Sequence, residues 1–177
     1  MIERASRAHI LAMATAHLIH GFLGAGKTTF ARRLERNLPG IRFTHDEWMA
    51  RLHGDDPPVE RFAEYFRRVS EQIESVWPRC LELGLDVVLD LNFWTRAQRD
   101  AAKARAAQAG AASRLYRLAC ADEVAWRRIE RRNGNLDGSL LITKATFEQL
   151  KSRFEPLHGD EAHVDIGQVG EASSRQT

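Results

Sequence analysis

Residues 21–29 read Gly21-Phe22-Leu23-Gly24-Ala25-Gly26-Lys27-Thr28-Thr29, and this stretch decides the fold. Its first eight residues match Gly-x-x-x-x-Gly-Lys-Thr, the pattern of a phosphate-binding loop. Glycines permit the tight turn that points successive backbone N–H groups at one anion, and the helix that begins near Lys27 adds its positive dipole end. In such a loop the lysine reaches the β- and γ-phosphates, and the hydroxyl of Thr28 holds Mg²⁺. The stretch therefore predicts a site for ATP and Mg²⁺.

The segments on either side of the loop fit this interpretation. Residues 16–20 form a short run typical of a strand, and residues 28–34 have apolar side chains at helical spacing. The alternative is a Gly-rich turn between a strand and a helix that binds nothing. If the loop bound nothing, the presence of Lys27 and Thr28 at these positions would have no structural explanation.

Length and composition indicate one globular domain. The chain has 177 residues, of which 44% are hydrophobic and 28% charged, as in ordinary soluble domains. The formal net charge of +2 is too small to indicate a protein that coats nucleic acid or a membrane surface. No apolar run reaches the roughly 18 residues of a membrane span. We therefore expect no membrane association, and a long nucleic acid is disfavoured as a partner.

The two cysteines predict a reducing compartment. Cys80 and Cys120 lie far apart, among apolar residues, and form no metal-ligand spacing, which indicates buried free thiols. Free thiols suit the cytoplasm, which is where we expect the protein. The histidines form no His-x-x-x-His pair, so no zinc site is predicted.

Apolar runs alternate with helical patterns along the chain, which predicts an α/β fold with a parallel sheet. The predicted strands are residues 17–20, 41–44, 85–91, 114–119 and 162–166. The predicted helices are residues 28–37, 46–53, 59–77, 95–109, 122–132 and 143–154. Pro78 is expected to kink or break the third helix, and Asp122 and Thr143 are expected to cap the last two. Residues 133–139 have the composition of a mobile turn.

These elements place one domain at residues 17–166. Residues 1–16 are interpreted as an N-terminal extension, within which Met13 is an alternative start of the natural chain. An intact-mass measurement on the native protein tests that hypothesis. Residues 167–177 are polar and are predicted to form a disordered tail.

Asp90 is the candidate for holding Mg²⁺ together with Thr28. It ends a hydrophobic strand, where P-loop enzymes place an acid that holds the metal, usually through water. ATP hydrolases often carry Glu at the next position to orient water, whereas this chain has Leu91. The difference favours transfer to a bound acceptor over hydrolysis. The alternative is a strand-end aspartate that caps a loop.

Asp46 is the candidate general base. It follows the second predicted strand, and in doubly wound sheets ligands bind at the carboxyl ends of strands. A carboxylate there is suited to accept the proton of an acceptor hydroxyl. The alternative is an N-cap of the helix that follows, and both roles are compatible.

Arginines precede the predicted mobile turn at positions Arg127, Arg128, Arg131 and Arg132. Arg128 and Arg132 are four residues apart and share one helix face. Such a pair is suited to close on a triphosphate and neutralise charge that develops during transfer. The alternative is a solvated face with Glu130 as a neighbour. Asn92, Arg96 and Arg99 follow Asp90 in the chain and are candidates for the acceptor side. The alternative is that the arginines from Arg96 to Arg105 are simply solvated on a surface helix.

Together these motifs resemble the P-loop kinases that include chloramphenicol phosphotransferase, zeta toxin and the kinase domain of polynucleotide kinases. The chain looks most like the bacterial predicted-kinase group within that set. The matching pieces are residues 21–29, Asp46, residues 87–92, Arg128 with Arg132, and residues 147–156. The resemblance covers about residues 17–166. It implies the three-layer α/β sandwich of P-loop NTPases, with a five-stranded parallel sheet in the order 2-3-1-4-5 and an arginine-bearing lid.

The resemblance also implies roles for individual residues. Lys27 and Thr28 would bind phosphate and Mg²⁺, and Asp46 would be the general base. Arg128 would lie near the adenine and phosphates of ATP, and Arg132 near the transferred group. The family often carries an arginine soon after the base, whereas here the first is Arg51, which we assign to the acceptor side.

The sequence thus predicts an ATP-dependent kinase that phosphorylates a hydroxyl of a small molecule. A nucleotide or polynucleotide end is an alternative acceptor. A second class is an ATP-binding switch or slow NTPase that acts through a protein partner, and a third is a degenerate kinase that binds ATP only. No Asn-Lys-x-Asp or Leu-Ser-Gly-Gly-Gln motif occurs, which argues against a Ras-type GTPase and a transporter ATPase. The acceptor and the oligomeric state are left open.

Overall fold

The sheet is built on two central strands that are buried on both faces. A computed structural model describes residues 13–136 and 138–167. The strands are β1 (Thr15–His20), β2 (Gly40–Thr44), β3 (Asp86–Asp90), β4 (Ala112–Leu118) and β5 (Val164–Ile166). All pairs are parallel, and the order is β2-β3-β1-β4-β5. This confirms the predicted fold class and strand order. The apolar run Val87-Val88-Leu89 of β3 is explained by helices on both faces of the sheet.

Six helices cover the sheet within the described residues. They are α1 (Lys27–Glu35), α2 (His45–His53), α3 (Val59–Glu82), α4 (Arg96–Gln108), α5 (Asp122–Asn133) and α6 (Lys144–Lys151). Side chains of successive strand residues point to opposite faces. Leu18 therefore packs with α3 and α4 on one face, while Ile19 packs with α1 on the other. No described helix is both long and apolar enough to cross a membrane.

Pro78 does not end α3, which continues to Glu82. A proline removes the hydrogen bond to the carbonyl four residues earlier, which here belongs to Glu74. The Arg105 guanidinium donates to that carbonyl instead, over 2.9 Å. Trp77 and Leu81, on either side of the proline, are buried in the core. The predicted break is therefore wrong, because a distant donor and core packing compensate for the missing N–H.

The helix boundaries differ from the predicted ones at several caps. The Thr143 hydroxyl accepts from the Thr146 N–H at 3.1 Å, so its predicted capping role is confirmed. Asp122 is already the first residue of α5, whose N-cap is Ala121, and its carboxylate binds Lys151 instead. The last helix ends at Lys151, three residues earlier than predicted.

The sheet begins two residues before the predicted domain boundary. Thr15 already belongs to β1, and the Ala14 carbonyl accepts from the Ala112 N–H at 2.9 Å. The rest of the predicted extension, residues 1–12, lies outside the described residues, as does most of the predicted tail. Both cysteines are free, with Cys80 buried as predicted and Cys120 only half-buried.

A buried ion pair holds the C-terminal segment on the domain. Arg99 on α4 forms two hydrogen bonds of 2.7 Å to the Glu161 carboxylate. Side-chain exposure is 0% for Arg99 and 1% for Glu161. Arg99 also donates to the carbonyl of Trp94 at 3.1 Å. Arg99 therefore serves the fold, and neither the acceptor-side nor the solvated interpretation of this residue is correct.

Acid is expected to destabilise the fold through His20. Its ring is buried, lies 2.8 Å from the Phe93 carbonyl, and stacks on Phe154. Burial lowers the pKa of His20 to about 4, from about 6.5 in the unfolded chain. The neutral ring therefore contributes stability above pH 6.5, and that contribution is lost as the pH falls towards 4.

The measurement is urea unfolding of the wild type and His20→Gln between pH 7 and 4. The pH-dependent loss of unfolding free energy should be smaller in the variant, by up to about 3 kcal/mol. The comparison isolates His20, because burial also lowers the pKa of His17 and His45. Equal losses in the two proteins would contradict the prediction.

Candidate phosphate-transfer site

The phosphate-binding loop turns between β1 and α1 at two glycines. Gly24 has φ 73° and Gly26 has φ 95°, and both angles lie in the left-handed region. Gly26 is the N-cap of α1, and no side chain caps the helix. The first backbone N–H groups of α1 are therefore available to an anion, and the helix dipole favours one there.

Lys27 folds back across this loop. Its ammonium donates to the Phe22 carbonyl at 3.1 Å, and the residue is 8% exposed. Burial lowers the pKa of Lys27, while the charges of Asp90 and Asp46 oppose that effect. The side chain is thus held at the mouth of the loop, in the field of two carboxylates.

Thr28 and Asp90 form a pair of oxygen ligands beside the loop. The Thr28 hydroxyl donates to the Asp90 carboxylate at 2.6 Å, and Asp90 is the buried last residue of β3. Mg²⁺ prefers such hard oxygen ligands, and commonly takes only one or two carboxylates besides phosphate and water. Within the described residues there is no group of three or more His, Cys, Asp or Glu that would form an all-protein metal site. The residues present therefore fit Mg²⁺ bound together with a phosphate.

Asp46 lies in the first turn of α2 and faces the same cleft. Thr44 is the N-cap of α2, so the carboxylate of Asp46 is not the helix cap that the sequence also allowed. Burial raises the pKa of Asp46, and the charges of Lys27 and Arg132 counteract that rise. A partly buried carboxylate near two cations is thus placed beside the phosphate-binding loop.

Three arginines of α5 border the cleft. Arg128 donates to the Gly24 carbonyl at 3.4 Å, and Arg132 donates to the Leu140 carbonyl at 3.4 Å. Among the described residues, neither these two nor Arg131 forms an ion pair with a carboxylate. Burial lowers the pKa of Arg132, an effect opposed by Asp46. Three cationic side chains therefore border the cleft without a direct ion pair to any carboxylate among the described residues.

These groups enclose one cavity of about 520 Å³. Of the residues predicted for the site, it is lined by Leu23, Gly24, Gly26, Lys27, Thr28, Thr29, Asp46, Asp90, Asn92, Arg128 and Arg132. Asn92 has φ 55°, a left-handed conformation that asparagine tolerates better than most residues. The structure thus brings the phosphate loop, both aspartates and the arginine pair to one place.

Other predicted site residues do not line the cavity. Gly21 lies against Leu118 of β4, and Ala25 is buried in the apolar core. The ring of Phe22 packs against the rings of Phe147 and Phe154. Arg51 is exposed on α2, and Arg96 forms two hydrogen bonds to the Asp160 carboxylate, at 2.7 and 2.8 Å. The structure therefore does not bring Arg51 or Arg96 to the cleft, and their role as acceptor contacts stays a prediction.

Some lining residues were not predicted. They are Arg32, Thr44, Ile129, Asn135, Leu136 and Ser139. Arg131, which also lines the cavity, belongs to the arginine cluster that the sequence analysis named. Arg32 stands one helical turn after Thr28, so its spacing was a usable signal. The residues from the 133–139 turn carried no such signal beyond their composition.

Close packing of α5 on the loop makes Gly24 sensitive to any side chain. A Cβ at this position would lie 2.5 Å from the Ala125 carbonyl oxygen. Gly54 is a matched control, since it has φ 86° but no atom within 4 Å of an added Cβ. Gly24→Ala should cost about 1–2 kcal/mol of left-handed strain. Gly54→Ala should cost about 1–3 kcal/mol, because the φ of 86° and ψ of 166° at Gly54 belong to a region that is essentially restricted to glycine. Gly24→Ala should cost about 1–3 kcal/mol more through overlap.

The two variants are compared by thermal unfolding and by titration with a fluorescent ATP analogue. Gly24→Ala should bind the analogue at least about tenfold more weakly than Gly54→Ala, since the overlap pushes α5 and the loop apart. Equal affinity of the two variants would show that the contact between α5 and the loop does not shape the nucleotide site.

Comparison with known families identifies the domain. A family model described as an AAA domain matches residues 17–157. The chain belongs to this family. The AAA domain here is of the P-loop kinase kind, which confirms the resemblance inferred from the motifs. A search of curated protein sequences finds no match to the chain.

Solved structures with low sequence identity share the fold of this AAA domain. A candidate kinase from Chloroflexus aurantiacus j-10-fl is 17% identical over 88% of this chain and 89% of that chain, with a TM-score of 0.70. Kti12 from Chaetomium thermophilum, in complex with ADP-AlF3, is 18% identical over 86% and 88%, with a TM-score of 0.61. A chain of the Pnkp1/Rnl/Hen1 RNA repair complex is 18% identical over 84% of this chain but 46% of its own length, with a TM-score of 0.66. At these identities the similarity shows the fold alone.

Proposed function

We propose that the protein is an ATP-dependent kinase that transfers the γ-phosphate of ATP to a hydroxyl of a small molecule. The observation that carries the proposal is the position of Asp46. Its carboxylate lines the same cavity as Lys27 and the Thr28–Asp90 pair. A carboxylate beside a phosphate-binding loop is what a kinase needs to take the proton of an acceptor hydroxyl.

The loop positions the triphosphate in this proposal. The backbone N–H groups from Gly24 to Thr28 bind the phosphates, and Lys27 exchanges the Phe22 carbonyl for phosphate oxygens. Thr28 and Asp90 would hold Mg²⁺, which supplies positive charge to the β- and γ-phosphate oxygens. These residues fix the γ-phosphorus at the mouth of the loop, on the side of Asp46.

Transfer then takes one displacement. The acceptor oxygen forms a bond to the γ-phosphorus as the bond to the β,γ-bridging oxygen breaks, and ADP leaves with that electron pair. The hydroxyl proton passes to Asp46, whose pKa is raised by burial and therefore suited to receive it. Arg128, Arg131 and Arg132 stabilise the charge on the transferred group, since none of them forms an ion pair with a carboxylate in the described structure.

Leu91 supports transfer over hydrolysis. It follows Asp90, at the position where hydrolases often carry a glutamate that orients water. Its side chain packs against the apolar core of the α3–α4 face. No acidic group therefore stands there to activate a water, and an acceptor hydroxyl is the nucleophile we propose. We place the reaction in the cytoplasm, where the free Cys80 and Cys120 stay reduced.

The test is transfer of label from γ-labelled ATP with Mg²⁺, using a cell metabolite extract as the pool of acceptors. Label that arrives in a small molecule supports the kinase and yields the acceptor for identification. Label released only as inorganic phosphate, at a rate that the extract does not change, overturns the proposal. That result would favour a slow NTPase or ATP-binding switch that acts through a protein partner.

A further inference from the structure

A second cavity lies on the same face of the sheet as α3 and α4, in the groove between these helices. Its volume is about 490 Å³, close to that of the phosphate cleft. Ile73, Leu91 and Phe93 contribute apolar surface, and Phe66 on α3 contributes an aromatic ring. We call this cavity the α3–α4 groove. Its size and mixed lining are typical of a small-molecule site.

The α3–α4 groove and the phosphate cleft share a wall at the ends of β2 and β3, where neighbouring residues line one cavity and the other in turn. After β3, Leu91 and Phe93 line the groove, whereas the alternating residues Asp90 and Asn92 line the cleft. The same alternation occurs after β2, where His45 lines the groove and its neighbour Asp46 lines the cleft. The groove therefore adjoins the carboxyl ends of β2 and β3, where ligands bind in such sheets, and its lining residue His45 is the chain neighbour of the candidate general base.

The groove offers no free charge among the described residues. Its charged lining residues, Glu74 and Arg105, form an ion pair at 3.6 Å, and Arg105 also donates to the Glu74 carbonyl. The phosphate cleft next to it is different, because its three α5 arginines have no carboxylate partner in the described structure. A ligand that carries phosphate or carboxylate would lose its hydration in the groove without gaining a counter-ion.

Cations near Asp46 on the β2 side are neutralised as well. The Arg42 guanidinium binds the carboxylates of Glu35 at 2.9 Å and Glu47 at 3.0 Å. Arg32 binds the other oxygen of Glu47 at 2.8 Å. Neither arginine is free to hold a phosphate group on an acceptor. The surroundings of Asp46 outside the phosphate cleft thus favour an uncharged molecule.

His45 supplies a polar atom in need of a partner. The residue is 4% exposed, and its Nε2 lies 3.2 Å from the Phe66 carbonyl and 3.0 Å from the Ser70 hydroxyl. A carbonyl only accepts, so Nε2 carries the proton, and in the neutral ring Nδ1 is then an acceptor. That Nδ1 is buried and has no partner in the described structure. Because His45 lines the groove, a hydroxyl on a molecule there would satisfy Nδ1 once the ring shifts to expose that atom.

We propose that the α3–α4 groove holds the body of the phosphate acceptor, and that the acceptor is an uncharged polyhydroxylated molecule with an apolar or aromatic face. One of its hydroxyl groups donates to His45 Nδ1, its apolar face packs on Phe66 and Phe93, and the reacting hydroxyl reaches Asp46 at the edge of the shared wall. This inference rests on the proposed kinase function, and it selects a neutral small molecule over a nucleotide or polynucleotide end.

The class of acceptor is tested by fractionating the metabolite extract before the transfer assay. Anion- and cation-exchange columns separate it into acidic, basic and unretained fractions, each incubated with the protein, Mg²⁺ and γ-labelled ATP. At least tenfold more transferred label is expected with the unretained fraction than with either retained one. Label transferred mainly to molecules of the acidic fraction would support the kinase function but overturn the proposal of a neutral acceptor.

The place of binding is tested by filling the groove from α4. Ala101 lines the groove and Ala107 does not, and both are exposed on the same helix. Ala101→Trp should raise the amount of unretained fraction needed for half-maximal transfer at least tenfold, with unchanged affinity for ATP. Ala107→Trp should leave both values unchanged. Equal behaviour of the two variants, with equal melting temperatures, would overturn the assignment of the groove.

A binding measurement keeps the groove testable if the kinase proposal itself fails. If no fraction receives label, the kinase proposal has failed. Saturation-transfer NMR then detects ligands of the unretained fraction that bind to the wild type, to Ala101→Trp and to Ala107→Trp. Signals that disappear with Ala101→Trp but persist with Ala107→Trp would show a neutral ligand in the groove. No signal with this difference would overturn the proposal.

Discussion

Replacing Asp46 by Asn is expected to lower phosphate transfer about 10²- to 10⁴-fold, the usual contribution of a general base. The amide keeps the shape of the side chain but cannot accept the proton of the acceptor hydroxyl. ATP affinity should stay within a few-fold of the wild type or rise, because the variant removes a negative charge from a cleft that binds a polyanion. In this variant the rate of phosphate transfer should therefore fall while the affinity for ATP is kept.

The control for Asp46→Asn is Glu47→Gln. Glu47 is the next residue on α2 and does not line the cleft, although its carboxylate binds Arg32 and Arg42. It shares the helix and the loss of one negative charge but not the proposed proton transfer, so its transfer rate should change only a few-fold. Lys27→Ala is a poor control, since it should weaken ATP binding and transfer together. Unchanged transfer by Asp46→Asn would exclude the general-base role.

The phosphate loop could be predicted because its chemistry is local. The nine residues of the stretch contain the turn, the helix start and the metal-binding hydroxyl, so no distant partner is needed to interpret them. The inner strands were equally clear, since burial on both faces leaves a continuous apolar run such as Val87-Val88-Leu89. The family match over residues 17–157 supports the same conclusion.

Residues that depend on distant partners were interpreted poorly. Arg96 and Arg99 looked like acceptor contacts because they follow Asp90. Each binds a carboxylate that stands 64 or 62 residues later in the chain, although Arg96 also pairs with the nearby Asp100. Pro78 was expected to break α3 because the rule for proline in helices considers only the helix itself. The Glu74 carbonyl instead accepts a hydrogen bond from Arg105, which lies on α4. Spacing along one chain carries no signal for such pairs, which only the folded arrangement brings together.

The α3–α4 groove could not be predicted from the sequence for a related reason. Phe66 and Ile73 have the spacing of a buried helix face, and apolar residues at helical spacing are usually core. Whether they pack fully depends on how far apart α3 and α4 lie. The sequence therefore named the long helix as the source of acceptor contacts without indicating which of its residues face a cavity.

The largest expected effect on stability comes from Glu161→Ala. The change leaves the Arg99 guanidinium buried without its carboxylate, and breaking a buried pair in this way typically costs about 3–5 kcal/mol. For a chain of this size the melting temperature should fall by roughly 10 °C. Arg99 also lowers the pKa of Glu161 to about 2. The stabilisation is therefore present above about pH 4.5 and is lost as the pH falls towards 2.

Asp160→Asn is the matched control, because the neighbouring carboxylate forms its ion pair with Arg96 in solvent, where such pairs contribute little. A second variant, Arg99→Met with Glu161→Leu, removes both charges and should recover most of the lost stability. The measurement is thermal unfolding of all three variants at pH 7. If Glu161→Ala melts within about 2 °C of Asp160→Asn, the buried pair does not hold the C-terminal segment. If Glu161→Ala melts far lower and the double variant recovers, the loss of stability comes from the unpaired buried charge of Arg99. The packing of the C-terminal segment on α4 is then sufficient without the ion pair.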